Sequence, residues 1–328
     1  MKYHFLKYFY LKFIFLMLLT VNIYGGTKFI ENDTILLQNE FLQVKIKKKG
    51  AEIISIFNKE KSFEHIWQAS KKSWNQNAPI LFPIVGKLKD GHYMIDDKEY
   101  KMKNHGFANY SNFEVISKSK NEVILELNSN EKTLKEYPYK FNLQVKYTLK
   151  GNKVSIENKV QNIDSKKIYF SIGAHPGFNI PFNNKEKYND YYLEFNENET
   201  VSRLPLTKKK GLLSNISVKH YLDNSNKMQL NHKMFKDRAV ILEGLKSSTV
   251  EIKSNNSKMS VKLGIDNFPF LGIWTTSKFD EPFVCIEPWY GISDTENTSG
   301  LFKNKKGIQT LAIAKSFLMK YNITIENK

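Results

Sequence analysis

Phe141-Asn142-Leu143-Gln144-Val145-Lys146-Tyr147-Thr148-Leu149 alternates apolar and polar residues without a break. Successive side chains of a strand point to opposite faces, so this period of two predicts a strand with one buried face. Gly151-Asn152 follows, and Val154 and Ile156 resume the alternation, which makes the pair a hairpin. Working outward, Leu42, Val44 and Ile46 predict a strand ahead of Gly50, and Val123, Leu125 and Leu127 predict another. Val250 and Ile252 match Val261 and Leu263 across an Asn255-Asn256 turn. The longest helical candidate, Glu131 to Glu136, is stopped by Pro138. Many short strands, frequent turn signals and no alternating helices predict an all-β fold, a large antiparallel β-sandwich. No repeat, low-complexity linker or Pro/Ser-rich hinge interrupts residues 27–328, which read as a single domain.

Fifty Lys and Arg against 33 Asp and Glu leave the 328-residue chain at +17. That excess raises the question of nucleic acid, and its distribution answers it. Lysines are scattered along the chain, and the densest clusters, Lys47-Lys48-Lys49 and Lys208-Lys209-Lys210, are only three long. Arginine, the usual fork for phosphate and base edges, occurs only as Arg203 and Arg238. Diffuse charge of this kind is a solvated surface, so no nucleic-acid partner is expected. An aromatic share of 13% excludes a disordered chain. Cys285 is the sole cysteine, which excludes an internal disulfide framework and zinc sites built from several thiolates.

The N-terminus carries Lys2, Lys7 and Lys12 with no acid, then a run from Phe13 to Val21 that is apolar save Thr20, then Asn22-Ile23-Tyr24-Gly25-Gly26. A basic start, a short apolar stretch and small residues predict a signal peptide over residues 1–26 and export to a periplasmic or extracellular location. Tyr3 to Leu11 adds further apolar residues, so an uncleaved N-terminal anchor is the alternative, and membrane attachment is expected only in that case.

Three segments hold titratable groups among Gly, Pro and aromatics, a setting in which such groups are paired or shifted in pKa. The first runs from Ala78 to Gly91 and leads to Asn104-His105-Gly106-Phe107. The second is Ser171-Ile172-Gly173-Ala174-His175-Pro176-Gly177-Phe178, and the third is Cys285-Ile286-Glu287-Pro288-Trp289-Tyr290-Gly291. Gly173 and Gly177 are expected to leave room beside His175 for a ligand. Aromatic faces beside Glu287 suit a sugar, whose C–H face stacks while its hydroxyls take hydrogen bonds. Alone, either histidine reads equally as a structural residue and Glu287 as half of a buried ion pair.

Together the segments resemble the aldose 1-epimerase (mutarotase) family, most closely its LacX-like branch. The resemblance runs from about Thr34 to Phe317. It is carried by Phe63-Glu64-His65-Ile66-Trp67 with Trp74, by the first segment with Asn104-His105-Gly106-Phe107, by Gly173-Ala174-His175-Pro176 and by Glu287-Pro288-Trp289-Tyr290-Gly291. It implies a galactose mutarotase-like supersandwich with the sugar in a cleft across one sheet. It implies an isomerase that interconverts the α and β anomers of an aldohexose such as glucose or galactose. Glu287 is then the base on the anomeric hydroxyl, His175 the acid on the ring oxygen, and His105 a group that holds the ring oxygen or a neighbouring hydroxyl. No metal and no cofactor is implied. Lys87 stands where the family usually has a sugar-holding arginine, and Asp237 resembles its substrate-binding aspartate. Trp74 and Trp289 are the stacking candidates.

Two other classes fit some of the same residues. A non-catalytic carbohydrate-binding protein of the same fold would need the aromatics but not the acid/base set. His105, His175 and Glu287 also have the composition of a two-histidine, one-carboxylate iron site. Such sites usually draw two ligands from one short stretch, whereas these come from three.

Overall fold

A computed structural model describes residues 33–207, 211–276 and 280–327. The N-terminal segment 1–26 and the Lys208-Lys209-Lys210 cluster lie outside the described residues. From Asp33 onward the chain forms one compact unit.

The alternating stretch is the strand Phe141–Lys150, paired antiparallel with Lys153–Asn162 so that Leu149 faces Val154 and Tyr147 faces Ile156. Phe141, Leu143, Val145, Tyr147 and Leu149 are all buried, each worth about 1.5–3 kcal/mol of transfer free energy. Glu122–Asn128 flanks the hairpin on one side and Ser316–Asn327 on the other. The predicted strands appear as Leu42–Lys47, Glu122–Asn128, Thr249–Ser254 and Met259–Gly264, the last two with Ile252 opposite Val261.

These elements belong to two antiparallel sheets. Thr34–Gln38, Leu42–Lys47, Glu52–Asn58 and Phe63–Glu64 make a four-stranded sheet. A fifteen-stranded sheet takes most of the rest. One end of it runs through Ile80–Leu81, Ile172–Ala174, Phe283–Tyr290, Phe270–Trp274 and Val240–Glu243 in spatial order. Apolar residues of both sheets, among them Ile46, Ile56, Val145 and Ile156, share one continuous core. The all-β sandwich expected from the alternation is what the chain forms.

The single α-helix among the described residues is Glu131–Glu136. Asn130 caps it by accepting from the Lys132 and Thr133 amides, while the Thr133 hydroxyl accepts from the Asn130 amide. Pro138 disfavours helical backbone at Tyr137, and the helix ends there. None of the described helices is long and apolar enough to cross a membrane.

Candidate active site

Strand order explains why three distant segments meet. Ile80 and Leu81 pair with Ala174 and Gly173. Ile172 and Gly173 pair in turn with Tyr290 and Trp289, and Gly177 and Phe178 pair with Cys285 and Val284. The register is the same on both sides of the gap, so His175 stands opposite Glu287 as a cross-strand neighbour. His175 Nε2 lies 3.1 Å from Glu287 Oε2. The contact is close but misaligned, and Glu287 Oε2 accepts no hydrogen bond. On its other side Glu287 faces Gly272, which has no side chain to compete for the space.

Alternation sorts Phe283–Tyr290 into two faces. Val284, Ile286 and Tyr290 pack on the main core, whereas Phe283, Cys285 and Trp289 belong to two smaller apolar clusters beside a cleft of about 330 Å³. Glu287 shares this second face and lines the cleft with His105, His175, Lys87, Trp74 and Trp289. Six of the seven candidate residues therefore converge. Asp237 does not line the cleft; its neighbour Arg238, at φ 72°, does.

Gly173 and Gly177 serve a purpose other than the expected one. A Cβ at Gly173 would lie 2.6 Å from the Trp289 ring, and one at Gly177 would lie 2.7 Å from the Trp74 ring. The space they leave beside His175 is filled by the two indoles, not kept for a ligand. Gly272 closes on Trp289 in the same way, at 2.5 Å. Trp289 is thus fixed as the cleft floor, with its Nε1–H unpartnered. Trp74 stacks on His175 with centroids 4.9 Å apart and also on Phe283, so it orients the imidazole as well as walling the cleft.

His105 belongs to a turn laced to the first segment. Its amide donates to Gly86 O, while Phe107 and Ala108 donate to Phe82 O. The Gly86 amide donates to His105 Nδ1 at 3.2 Å, so the neutral ring carries its proton on Nε2. Burial lowers its pKa to about 4, which keeps it an uncharged donor. Its ring meets His175 edge-on at 5.7 Å. Lys87 is held through its backbone: its amide donates to Ser293 Oγ and its carbonyl accepts from the Asp294 amide. Asp294 also accepts from the Lys89 amide and pairs with Lys305 at 2.8 Å, both side chains being buried.

Burial shifts the central pair in opposite senses. It drives the Glu287 carboxyl well above the usual carboxylate range. It drives His175 well below the usual imidazole range, with His105 adding to the effect. Ordinary pKa values would make the pair a carboxylate and, below about pH 6.5, an imidazolium. The low-polarity setting instead favours a neutral acid beside a neutral imidazole, one proton between them.

Trp274, Arg238 and Gln76 also line the cleft and were not singled out in the sequence. Trp274 was the most accessible of these to a sequence reading. In Phe270-Leu271-Gly272-Ile273-Trp274 a glycine inside an apolar run marks close approach of another group, and Trp274 falls on the glycine's own face.

The aldose 1-epimerase family model matches residues 33–307. The chain belongs to the aldose 1-epimerase family. Protein LacX of Lactococcus lactis subsp. lactis, in its chromosomal form, is 35% identical over 301 residues, spanning 90% of this chain and all of the relative. A galactose mutarotase-related enzyme of Lactobacillus acidophilus superposes with a TM-score of 0.85 at 34% identity, over 90% of this chain and 99% of that one. A galactose mutarotase-like protein of Lactobacillus casei ATCC 334 gives 0.84 at 29% identity, over 89% and 100%. The LacX-like resemblance and the mutarotase-like sandwich both hold. The family and these neighbours support a carbohydrate epimerase with a small-molecule sugar as its partner.

Proposed function

We propose that the protein is a mutarotase that equilibrates the α and β anomers of an aldohexose. The observation that carries this reading is the buried Glu287–His175 pair, set side by side in a cleft floored by Trp289. Ring opening needs one proton removed from O1 and one delivered to O5, two atoms bonded to the same carbon. Neighbouring groups on adjacent strands match that separation. The carboxylate form of Glu287 takes the O1 proton, the C1–O1 bond becomes a carbonyl, the C1–O5 bond breaks, and O5 takes the His175 proton. His105 Nε2–H donates to the ring oxygen or a neighbouring hydroxyl. Rotation about C1–C2 and the reverse transfers give the other anomer, so no proton is gained or lost overall.

The resting neutral pair already has the protonation of the ring-opened complex. Opening therefore begins with transfer of the shared proton from Glu287 to His175. Sugar hydroxyls donating to the Glu287 carboxylate supply the stabilisation that its burial withholds. Each positioned proton transfer typically contributes about 10²–10⁴-fold.

Exchange spectroscopy on an equilibrated hexose, following the two anomeric resonances, tests the reading without any net reaction. Cross-peaks that grow with protein concentration are expected. The rate should be level through neutral pH. It falls in acid as His175 gains a second proton, and this limb lies below about 6.5 because the pKa is lowered. It falls in alkali when Glu287 loses its proton, and that limb lies above the ordinary carboxylate range. His105, Cys285, Lys87, Arg238 and Tyr110 are the other titratable groups in or beside the cleft. A rate that instead rises with pH through an unshifted histidine would contradict the neutral pair.

We also propose, from the residues 1–26 pattern, that the chain is exported. Fractionation and mass measurement on the protein from its native host test this: a mature start near Gly25 or Gly26 supports export with cleavage, an intact Met1 in the membrane fraction supports the uncleaved anchor, and an intact Met1 in the cytosol contradicts export.

A further inference from the structure

Cys285 has no part in the proton transfers above, yet it lies on the same strand face as Glu287, two residues away. Its Sγ, a ring nitrogen of His175 and a carboxylate oxygen of Glu287 all lie within 4.8 Å of one another. All three residues are buried. Glu287 Oε2, 3.1 Å from His175 Nε2, accepts no hydrogen bond. One nitrogen, one sulfur and one oxygen donor therefore converge on a point that two of them share with the cleft.

We propose that His175, Cys285 and Glu287 form a site for a thiophilic divalent cation of the zinc or cadmium class, and that an ion there silences the acid/base pair. A soft sulfur beside imidazole and carboxylate selects such ions over magnesium or calcium, which take oxygen cages. The 3.1 Å between nitrogen and oxygen already suits two bonds of about 2 Å to one ion. Zinc takes thiolate sulfur at about 2.3 Å, so ion binding would draw the Cys285 sulfur in from its present separation of at most 4.8 Å. The thiol proton and the one proton held by the Glu287–His175 pair both leave to solvent as the metal bonds form. The fourth position opens to the cleft, the arrangement of zinc sites with three protein ligands. An ion so placed holds both the base and the acid, and neither can exchange a proton with sugar. Binding of the ion does not depend on the mutarotase reading; only the inhibition does.

Cadmium titration of the untagged, reduced protein reads the site directly. Cys285 is the only cysteine, so an ultraviolet thiolate-to-cadmium band reports this residue alone. One equivalent producing that band, removed by chelator, is the expected result; its absence overturns the proposal, whatever the variants do. Zinc calorimetry on Cys285→Ser and Cys285→Ala, each checked for folding by circular dichroism, should show affinity reduced by about tenfold or more. Even outer partners of a metal carry about 10–100-fold each. Parent-like zinc affinity in a folded variant overturns it. Zinc should slow anomer exchange in the parent and spare Cys285→Ala. A cadmium band in a protein with no anomer exchange leaves the site standing and removes the mutarotase reading.

Discussion

Glu287→Gln should lower the rate of anomer exchange by about 10²–10⁴-fold while leaving the half-saturating sugar concentration close to that of the parent. The amide keeps the shape and a hydrogen bond to the anomeric hydroxyl, but it takes no proton. That range equals about 2.7–5.4 kcal/mol of transition-state stabilisation. Gln matches Glu in size, so packing against the cross-strand neighbours Gly272 and His175 should be kept. A stability change of similar size would point to a structural ion pair in place of catalysis, so thermal unfolding belongs beside the kinetics.

Lys305→Met is the second large effect, and it falls on stability first. Lys305 and Asp294 have side chains only 2% and 5% exposed and meet at 2.8 Å. Burial pulls the lysine pKa down, and Asp294 opposes that shift. Removing the cation leaves a carboxylate buried and uncompensated, which costs about 3–5 kcal/mol. Asp294 also grips Lys89 and the Lys87 carbonyl, so the loosened segment should raise the half-saturating sugar concentration more than it lowers the maximal rate. Chemical denaturation and saturation kinetics read the two effects. The double variant Asp294→Asn, Lys305→Met removes the orphaned charge and should recover part of the lost stability. If Lys305→Met alone is neutral, the pair does not hold this loop.

The hairpin at Phe141 was legible because its core face is purely apolar and its turn is Gly-Asn. The strand Tyr191–Arg203 was not. It carries Asn196-Glu197-Asn198-Glu199 and three register irregularities. Glu199 is fully buried and satisfied by the Lys246 and Ser247 amides, a partnership invisible to hydrophobic periodicity. The trio His105, His175 and Glu287 was legible because each member sits in a glycine-marked motif that resembles a family. Asp237 was read from the resemblance alone, and the cleft is lined by its neighbour Arg238 instead. The pKa reversal of Glu287 and His175 was beyond reach. It depends on burial of both groups, and burial follows from strand order, which no local pattern states.

Optical rotation of freshly dissolved α-glucose and α-galactose, with and without the protein, tests the central claim most directly. At least one sugar should approach its anomeric equilibrium faster in proportion to protein added, with the same end point and no such acceleration from Glu287→Gln. If both sugars relax at the uncatalysed rate in the presence of folded parent protein, anomer exchange of these hexoses is not its activity. If the variant matches an active parent, Glu287 is not the base.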